Sequence, residues 1–275
     1  MTFNIDEQLK RTRAAVKDRY SRELHKEANT NDINVVSQSR DHRQNSVVKS
    51  NQLARAYYKV TLNEKRLMEL LISRVHPLRN DNDFQNIEIT SKMFSDTFGV
   101  SRKNSYTYLL KAAHGLQDVK VWLKNEDGTG DRFGIVGRVI DDGSNGLVTC
   151  TIAPWVVPHL IKLDDRFTKY TLERAADFKS ATTYRIFELM VSWSNRKKPL
   201  TGSKVVLVDE LRGQLKIPES YPFSMFKRRV LVAAQNDLKT LLNINLNIEY
   251  IKTSRKVTSL KFTYSEGEQK PLPLR

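Results

Sequence analysis

Basic and amide side chains spaced along one predicted helix are the strongest candidates for chemistry in this 275-residue chain. The helix is predicted to begin near Ser224, and at roughly 100° per residue it turns one polar face outward. That face and its border comprise Ser224, Lys227, Arg228, Arg229, Gln235, Asn236 and Lys239. An arginine can bind guanine O6 and N7 with two hydrogen bonds, an amide can bind adenine, and a lysine suits phosphate. The helix is therefore predicted to read bases in a duplex groove.

The other side of this helix carries an apolar stripe that would anchor it to a domain core. The stripe consists of Phe226, Val230, Ala233, Ala234, Leu238 and Leu241. Asp237 falls on the same side, so either the face is mispredicted there or its carboxylate pairs with a basic group such as Arg185. Lys227 lies at the border of the stripe, where a lysine can extend its ammonium to solvent from a buried stem.

Two alternating segments after this helix predict a β-hairpin with a basic tip. INLNIEYI (244–251) and VTSLKFTYS (257–265) alternate apolar and polar residues, which is typical of half-buried strands. The tip between them consists of Lys252, Thr253, Ser254, Arg255 and Lys256. Such a tip suits contact with backbone phosphates.

An earlier predicted helix, SRKNSYTYLLKAAHGLQD, has a comparable but less basic face. Its inward positions are predicted to be Tyr106, Leu109, Leu110, Ala113 and Leu116. Its outward positions are Ser101, Arg102, Lys103, Asn104, Thr107, Tyr108 and Lys111. We expect this face to contact DNA more weakly than the later helix, or only with the help of a partner.

Residue types that would support catalysis or a cofactor do not cluster in the sequence. The five histidines, none at metal-ligand spacing, are His25, His42, His76, His114 and His159. Nucleotide-binding glycine motifs are also absent from the sequence. Tyr57 and Tyr58 could serve as DNA-nicking nucleophiles, but that chemistry needs clustered histidines holding a divalent metal. We therefore expect no catalytic residue, no metal and no cofactor.

The single cysteine and four large aromatic residues are predicted to be structural. Cys150 lies in the alternating run LVTCTI and is expected to be a small buried hydrophobe. The aromatic residues expected to anchor cores or interfaces are Phe84, Trp122, Trp155 and Trp193. Base stacking on single strands is the alternative for these aromatic residues.

Composition favours a nucleic-acid partner over a membrane. The formal net charge is +15 and the sequence pI about 9.8, which suits a regular array of negative charge. Residues 176–275 hold 18 basic and 9 acidic residues, a net charge of +9 that leaves +6 for the first 175 residues. No apolar run reaches the roughly 20 residues of a membrane-spanning helix, and the first residues do not resemble a signal peptide. We expect a cytoplasmic protein.

The elements that must position these faces occur twice in the same order, which predicts two similar α+β domains. Residues 1–45 read as a charged arm with a modest amphipathic helix (Leu9, Arg13, Val16, Tyr20 and Leu24) and a linker. Residues 46–174 and 175–267 each read as three helices followed by a β-hairpin, with 268–275 as a tail. In the second domain the short helix VDELRGQLK is predicted to be capped by Asp209. In the first domain, Asn63 or Thr61 is predicted to cap the helix in TLNEKRLMELLISRV, and Gly99 is predicted to end the next helix. Strands are predicted in VKVWLKN, RFGIVGRVI and LVTCTI, and a helix is predicted around WVVPHLI. Three helices and a hairpin form the winged-helix order.

Three segments resemble the tandem winged-helix replication initiators of iteron-containing bacterial plasmids. They are VVKSNQLARAYYKVTLNEKRLMELLISRV, FTKYTLERAADFKSATTYRIFELMVSW and FKRRVLVAAQNDLKTLLNINLNIEYIK, and the similarity spans about residues 47–265. The middle segment resembles the family's junction between its two domains. By position, Lys227, Arg228 and Arg229 correspond to the family's basic cluster, and KTSRK corresponds to its basic wing.

The resemblance implies recognition helices that enter successive major grooves of one directly repeated origin element. It further implies that the second domain makes the tighter contacts, that dimers repress their own gene at an inverted repeat, and that monomers load the origin. The resemblance also implies that the protein melts an AT-rich segment and recruits the host initiator and the replicative helicase. Binding energy and DNA strain would have to drive such melting, since the sequence carries no nucleotide-binding motif.

Two alternatives to an origin-binding initiator remain open at this point. A dedicated transcriptional repressor could use the same two domains. A metal-dependent DNA-nicking initiator is the enzymatic alternative, and it would depend on a tyrosine such as Tyr58.

Overall fold

The computed structural model describes residues 41–75, 84–124, 127, 129–161, 163, 167–194 and 199–267. The helix predicted within residues 1–45 falls on 1–40, outside the described residues, as does the predicted tail 268–275.

The first half of the described chain contains a helical core, a three-stranded sheet and an additional hairpin. Its elements are β1 (Ser46–Ser50), α1 (Asn51–Ala54), α2 (Leu62–Ile72), β2 (Ile87–Thr90), α3 (Ser91–Phe98), α4 (Arg102–Asp118), β3 (Lys120–Lys124), β4 (Gly130–Gly134), β5 (Val136–Asp142) and β6 (Leu147–Ile152). Strands pair antiparallel in the order β2-β6-β5, and β3 pairs separately with β4. The helices α2, α3 and α4 followed by this sheet form a winged-helix domain.

The second half repeats the arrangement after a short connection. Its elements are β7 (Phe167–Thr171), α5 (Glu173–Ala176), α6 (Ala181–Trp193), β8 (Thr201–Leu207), α7 (Val208–Gln214), α8 (223–242), β9 (Ile244–Thr253) and β10 (Lys256–Glu266). The sheet order is β8-β10-β9, and all pairs are antiparallel. Helices α6, α7 and α8 with this sheet form the second winged-helix domain, and β7 pairs back with β1 of the first half. The predicted α+β fold with two tandem winged-helix domains is confirmed.

Local capping signals place most helix ends where the sequence predicts them. Thr61 forms a capping box with Glu64 at the start of α2, and Gly99 ends α3 with a φ of 62° in the left-handed region. The predicted cap of α7 is wrong, because Leu207 occupies the N-cap position and Asp209 lies inside the first turn. A carboxylate there interacts favourably with the helix dipole instead of capping the helix.

Two further predictions of secondary structure are corrected. The segment RFGIVGRVI reads as one strand, but Ile135 separates β4 from β5, and the two strands belong to different sheets. The Ile135 carbonyl oxygen accepts a hydrogen bond from Ala153 N at 2.9 Å. At Ile135 the chain therefore leaves the β3-β4 hairpin and pairs with the segment that follows β6. The helix predicted around WVVPHLI is a 3-10 helix, Pro154–His159, because Pro158 lacks the amide hydrogen that a longer helix needs.

A fully buried cluster of charged side chains joins the two domains. Lys49 of β1 and Lys65 of α2 both contact Glu69 of α2 and Glu188 of α6. The Lys65 Nζ atom lies 2.5 Å from Glu69 Oε1 and 2.9 Å from Glu188 Oε2. Arg185 of α6 binds Glu188 Oε2 at 2.5 Å. Three cations thus share two carboxylates, and no local sequence pattern predicts this cluster.

Hydrogen bonds extend this cluster across the domain junction. Arg185 donates to the carbonyl oxygens of Ala54 and Ala56 at 2.9 and 2.7 Å, and to the Tyr58 hydroxyl at 2.6 Å. Tyr170 of β7 donates to Glu69 Oε2 at 3.0 Å. Buried charges are tolerated only when they are paired and hydrogen-bonded, so this network fixes the position of α6 against the first domain.

The half-buried ring of His159 gives one testable prediction of pH dependence. Its Nδ1 lies 3.0 Å from Ser50 Oγ, and its ring stacks on Phe133 with centroids 6.0 Å apart. Burial lowers the pKa of His159 below the ordinary value of 6.5, although the Asp131 charge opposes this shift. As the pH falls, His159 therefore takes up a proton at a higher pH in the unfolded chain than in the folded chain. Protonation thus favours the unfolded chain, and the free energy of unfolding decreases as the pH falls below 6.5.

We expect the free energy of unfolding to fall between pH 7 and 5 in part through His159. Denaturant titrations at several pH values should show a shallower dependence in a His159→Gln variant than in the wild type. A titration midpoint of His159 above 6.5 by NMR would contradict this prediction.

Candidate nucleic-acid interface

Helix α8 contains a wide turn at the position of its basic residues. The segment Phe223–Phe226 is α-helical, Lys227–Val232 is a π-helix, and Ala233–Leu242 is α-helical again. A π-turn holds about one residue more than an α-turn, so every later side chain is rotated relative to a regular helix. Such insertions are frequent at functional sites.

This rotation explains where the predicted stripe of α8 fails. Leu231, which the regular spacing did not include, is fully buried, whereas Leu241 is 42% exposed. Ala233 is only half-buried. Gln235, predicted outward, is also half-buried, and its Nε2 donates to the Leu246 carbonyl oxygen at 2.9 Å. Its amide nitrogen is therefore engaged by β9 rather than directed to a groove.

The basic residues of α8 are exposed and are not paired with acids. Lys227, Arg228 and Arg229 are exposed, as are Ser224 and Asn236. Among the described residues, none of the three basic side chains makes an ion pair. Arg228 donates to the Met225 sulfur at 3.3 Å, and the Lys227 ammonium lies 4.5 Å from the ring centroid of Tyr250. The guanidinium groups therefore face solvent with unused donors.

Two other polar residues of α8 bond within the protein. Asp237 is half-buried and accepts a hydrogen bond from Thr183 Oγ1 at 3.0 Å, so Arg185 is not its partner. Lys239 is exposed, and its Nζ donates to Asn243 Oδ1 at 3.0 Å near the end of the helix. Asn243 ends α8 in the left-handed region with a φ of 52°.

A buried arginine sets the start of α8. Arg212 of α7 donates to the carbonyl oxygens of Pro218 and Glu219 at 3.2 Å each and of Tyr221 at 2.8 Å. Its guanidinium carbon also lies 4.9 Å from the ring centroid of Phe226. Three carbonyl contacts and one ring contact fix the turn between α7 and α8, and with it the direction in which Arg228 projects.

The hairpin β9-β10 carries its basic residues at an exposed tip. Thr253 pairs with Lys256, and Ser254 takes a φ of 57° in the tight turn between them. All five tip residues, 252–256, are exposed, as predicted. None of the three basic side chains of the tip makes an ion pair among the described residues. The tip and α8 lie in the same small domain and present cations to solvent.

The corresponding face of the first domain is exposed but less basic and partly neutralised. All seven predicted outward residues of α4 and its N-terminus are exposed, and they are Ser101, Arg102, Lys103, Asn104, Thr107, Tyr108 and Lys111. Arg102 lies 3.4 Å from Asp96 of α3, which also binds Lys92 at 2.8 Å. Tyr106 and Leu110 are half-buried, not fully inward.

The residues considered for other chemistry have structural contacts. The Tyr58 hydroxyl is buried and bonded to Arg185 and Lys65, and burial raises its pKa. Cys150 is fully buried as predicted, and burial raises the pKa of its thiol to about 12. Trp155, predicted as an anchor, is 55% exposed, with its indole N–H donating to the Gly134 carbonyl oxygen at 2.8 Å.

Within the described ranges, no three histidine, cysteine, aspartate or glutamate residues are grouped so that they could hold a metal ion. No described helix combines the length and the apolar character needed to cross a membrane.

The fold and the exposed basic helix and wing define a tandem winged-helix protein. Models of the initiator replication protein family match both domains: the first winged-helix model matches residues 46–191 and the second matches residues 207–264. The chain belongs to this family of plasmid replication initiators, which confirms the resemblance seen in the sequence.

The chain is also similar to two known proteins. A "Replication initiation protein" from Escherichia coli is 24% identical over 229 residues, which cover 82% of this chain and 71% of that protein. The crystal structure of Pi initiator protein in complex with iteron DNA has a TM-score of 0.68 and 17% identity, covering 82% of this chain and 99% of that chain. At this identity, the second similarity shows the fold.

Proposed function

We propose that this chain initiates plasmid replication by binding directly repeated origin sequences, iterons, in double-stranded DNA. The observation that carries the proposal is the exposed basic face of α8, which has no acidic partner among the described residues, together with the exposed basic wing tip of the same domain. Arg228, Arg229 and Asn236 would contact bases, while Lys227, Lys239 and Ser224 would contact the backbone. Gln235 has its side-chain oxygen and one amide N–H left for such contact, because the other N–H is donated to Leu246.

The first domain would add a second and weaker groove contact through α4. Its outward residues include fewer cations, and Arg102 already lies near Asp96. Tandem domains that each place one helix in a major groove would cover two successive grooves of one repeat. The similar Pi initiator protein was solved in complex with iteron DNA, which supports this arrangement.

The finer steps of initiation belong to the same proposal. The chain would melt an AT-rich segment through binding energy and DNA strain, recruit the host initiator and helicase, and, as a dimer, repress its own gene at an inverted repeat. It would do so in the bacterial cytoplasm, where plasmid DNA lies.

The burial of Tyr58 disfavours the alternative of a DNA-nicking enzyme. Strand scission of supercoiled plasmid by the wild type, abolished by a Tyr58→Phe change, would overturn that view.

DNase footprinting on the plasmid's origin and promoter distinguishes the initiator from a dedicated repressor. An initiator should protect several direct repeats in helical phase as well as an operator. Protection of the operator alone would instead identify a repressor that uses the same two domains. Gel shifts with the repeats at two salt concentrations would measure the electrostatic share of the affinity.

Lys256 at the wing tip gives a prediction for sequence-independent binding. A Lys256→Ala change should weaken binding to the repeats and to random duplex alike, and should lower the slope of log affinity against log salt by about 1. Lys261→Ala is the control, because Lys261 lies on the same strand but is paired with Glu249 at 3.2 Å. A loss confined to the repeats would contradict a phosphate contact at Lys256.

A further inference from the structure

A second cluster of cations lies where the β3-β4 hairpin of the first domain meets the second domain. The hairpin is joined to residues before α2 by two backbone hydrogen bonds between Tyr57 and Trp122, at 2.9 and 3.0 Å. The rings of these two residues pack with centroids 5.3 Å apart. Tyr57 also lies against Gly213 of α7, where an added Cβ would come within 2.8 Å of the Tyr57 ring. Trp122 therefore marks the seam between the domains.

Three cations from the two domains surround the Trp122 ring. The guanidinium carbon of Arg132 lies 4.9 Å from the ring centroid, and the ammonium groups of Lys124 and Lys216 lie at 5.8 and 5.9 Å. Lys124 and Arg132 belong to β3 and β4, whereas Lys216 lies in the turn that follows α7. We call Trp122, Lys124, Arg132 and Lys216 the seam cluster.

Nearby acids do not neutralise the seam cluster. Among the described residues, its three cations make no ion pair, and all three are exposed. Asp131 lies one position from Arg132 along β4, so its side chain points to the opposite face of the hairpin, where its charge acts on His159. Glu210 of α7 is the acid that acts on Tyr57, and it accepts a hydrogen bond from Gln214.

The arrangement is that of an anion site. An aromatic ring attracts cations through its quadrupole but carries no net charge, so it gathers like charges without neutralising them. On the same face of the hairpin, Gly130 pairs with Lys124 and Gly134 pairs with Lys120. A Cβ at Gly130 would come within 2.9 Å of Trp122 Nε1, so the glycine leaves that edge of the half-buried ring without a side chain over it. An anion placed among the three cations would be attracted by all of them.

The position of Lys216 in the second domain identifies the anion. In helix-turn-helix domains the helix before the recognition helix crosses the DNA backbone, so the turn between the two helices lies at the level of the phosphates. Lys216 lies in that turn, between α7 and α8, and its φ of 53° fixes an unusual backbone conformation there. We propose that the seam cluster binds a backbone phosphate of the duplex, between the groove entered by α4 and the groove entered by α8. This inference rests on the proposed function.

Neutral-phosphate scanning tests the inference. Duplexes carrying one repeat, with a single methylphosphonate at each position in turn, would be bound to the wild type and to Lys216→Gln and Arg132→Gln variants. For the wild type we expect a loss of affinity at a phosphate between the two groove contacts. In either variant that position should no longer matter, and the salt slope should fall by about 1. Lys216→Arg should restore both properties.

Two controls separate this inference from the proposed function. Lys204→Gln, which removes an exposed lysine from β8, should leave the salt slope and the scan unchanged. The salt slopes of the Lys216 and Arg132 variants on random duplex test the phosphate contact even if the protein has no preference for the repeats. If Lys216→Gln and Arg132→Gln have the same salt slope and the same phosphate scan as the wild type, the seam cluster does not bind a phosphate. If the wild-type protein binds repeats and random duplex with equal affinity, the proposed function is wrong. Melting curves verify that both variants are folded.

Discussion

Replacing Glu188 with glutamine is expected to lower the free energy of unfolding by about 3–5 kcal/mol. The change removes the negative charge on which Lys49, Lys65 and Arg185 converge, and all of these side chains are buried. Glu69 alone would then face three buried cations, which is the situation in which breaking an ion pair costs most. Urea titration monitored by circular dichroism measures the effect.

An exposed pair supplies the matched control for this prediction. Glu249→Gln removes a carboxylate whose partner, Lys261, is on the outer face of the second sheet, and it should cost less than about 1 kcal/mol. A Glu188→Gln variant as stable as the Glu249→Gln variant would show that the buried cluster contributes little to the folded state.

Acid titration gives an independent measure of the same carboxylate. Burial alone would raise the pKa of Glu188, but the charges of Lys49, Lys65 and Arg185 outweigh it and hold the pKa well below the ordinary value of 4.5. A group with a depressed pKa stabilises the fold above its unfolded value and loses that contribution as the pH falls. Stability should therefore decline below pH 4.5 more steeply in the wild type than in Glu188→Gln.

Replacing Arg228 with alanine is expected to reduce specific DNA affinity by about 1–3 kcal/mol and to relax one base preference. Arg228 is exposed on α8, and among the described residues its side chain hydrogen-bonds to the Met225 sulfur and makes no ion pair, so the fold should be unaffected. Arg228→Lys keeps the charge but removes the planar fork, and it should retain binding to random duplex while losing discrimination.

Competition gel shifts with repeats that differ at one base pair would measure both variants. If Arg228 contacts a base, the Arg228→Ala change should reduce the affinity for the correct repeat more than the affinity for random duplex. Equal losses on the two duplexes would reassign Arg228 to the phosphate backbone, and an unchanged affinity would remove Arg228 from the interface.

Much of the site could be predicted because it depends on short-range patterns. Alternation around the tip 252–256 predicts a hairpin with an exposed basic turn, and the structure has that hairpin. The face of α4 was also placed correctly, since that helix is regular from Arg102 to Asp118. On α8 the same reasoning failed at Gln235 and Leu241, because the π-turn changes the rotation on which it relies.

Local sequence patterns were enough to predict two modules, their order of helices and strands, and the exposure of the basic residues on α8 and its wing. Periodicity, caps and turns act over a few residues, so they can be read locally. Four features appear only in the folded chain: the π-turn, the division of 132–140 between two sheets, the charged cluster and the seam cluster. Lys65 and Glu188 are 123 positions apart, and only the packing of α2 against α6 makes them neighbours.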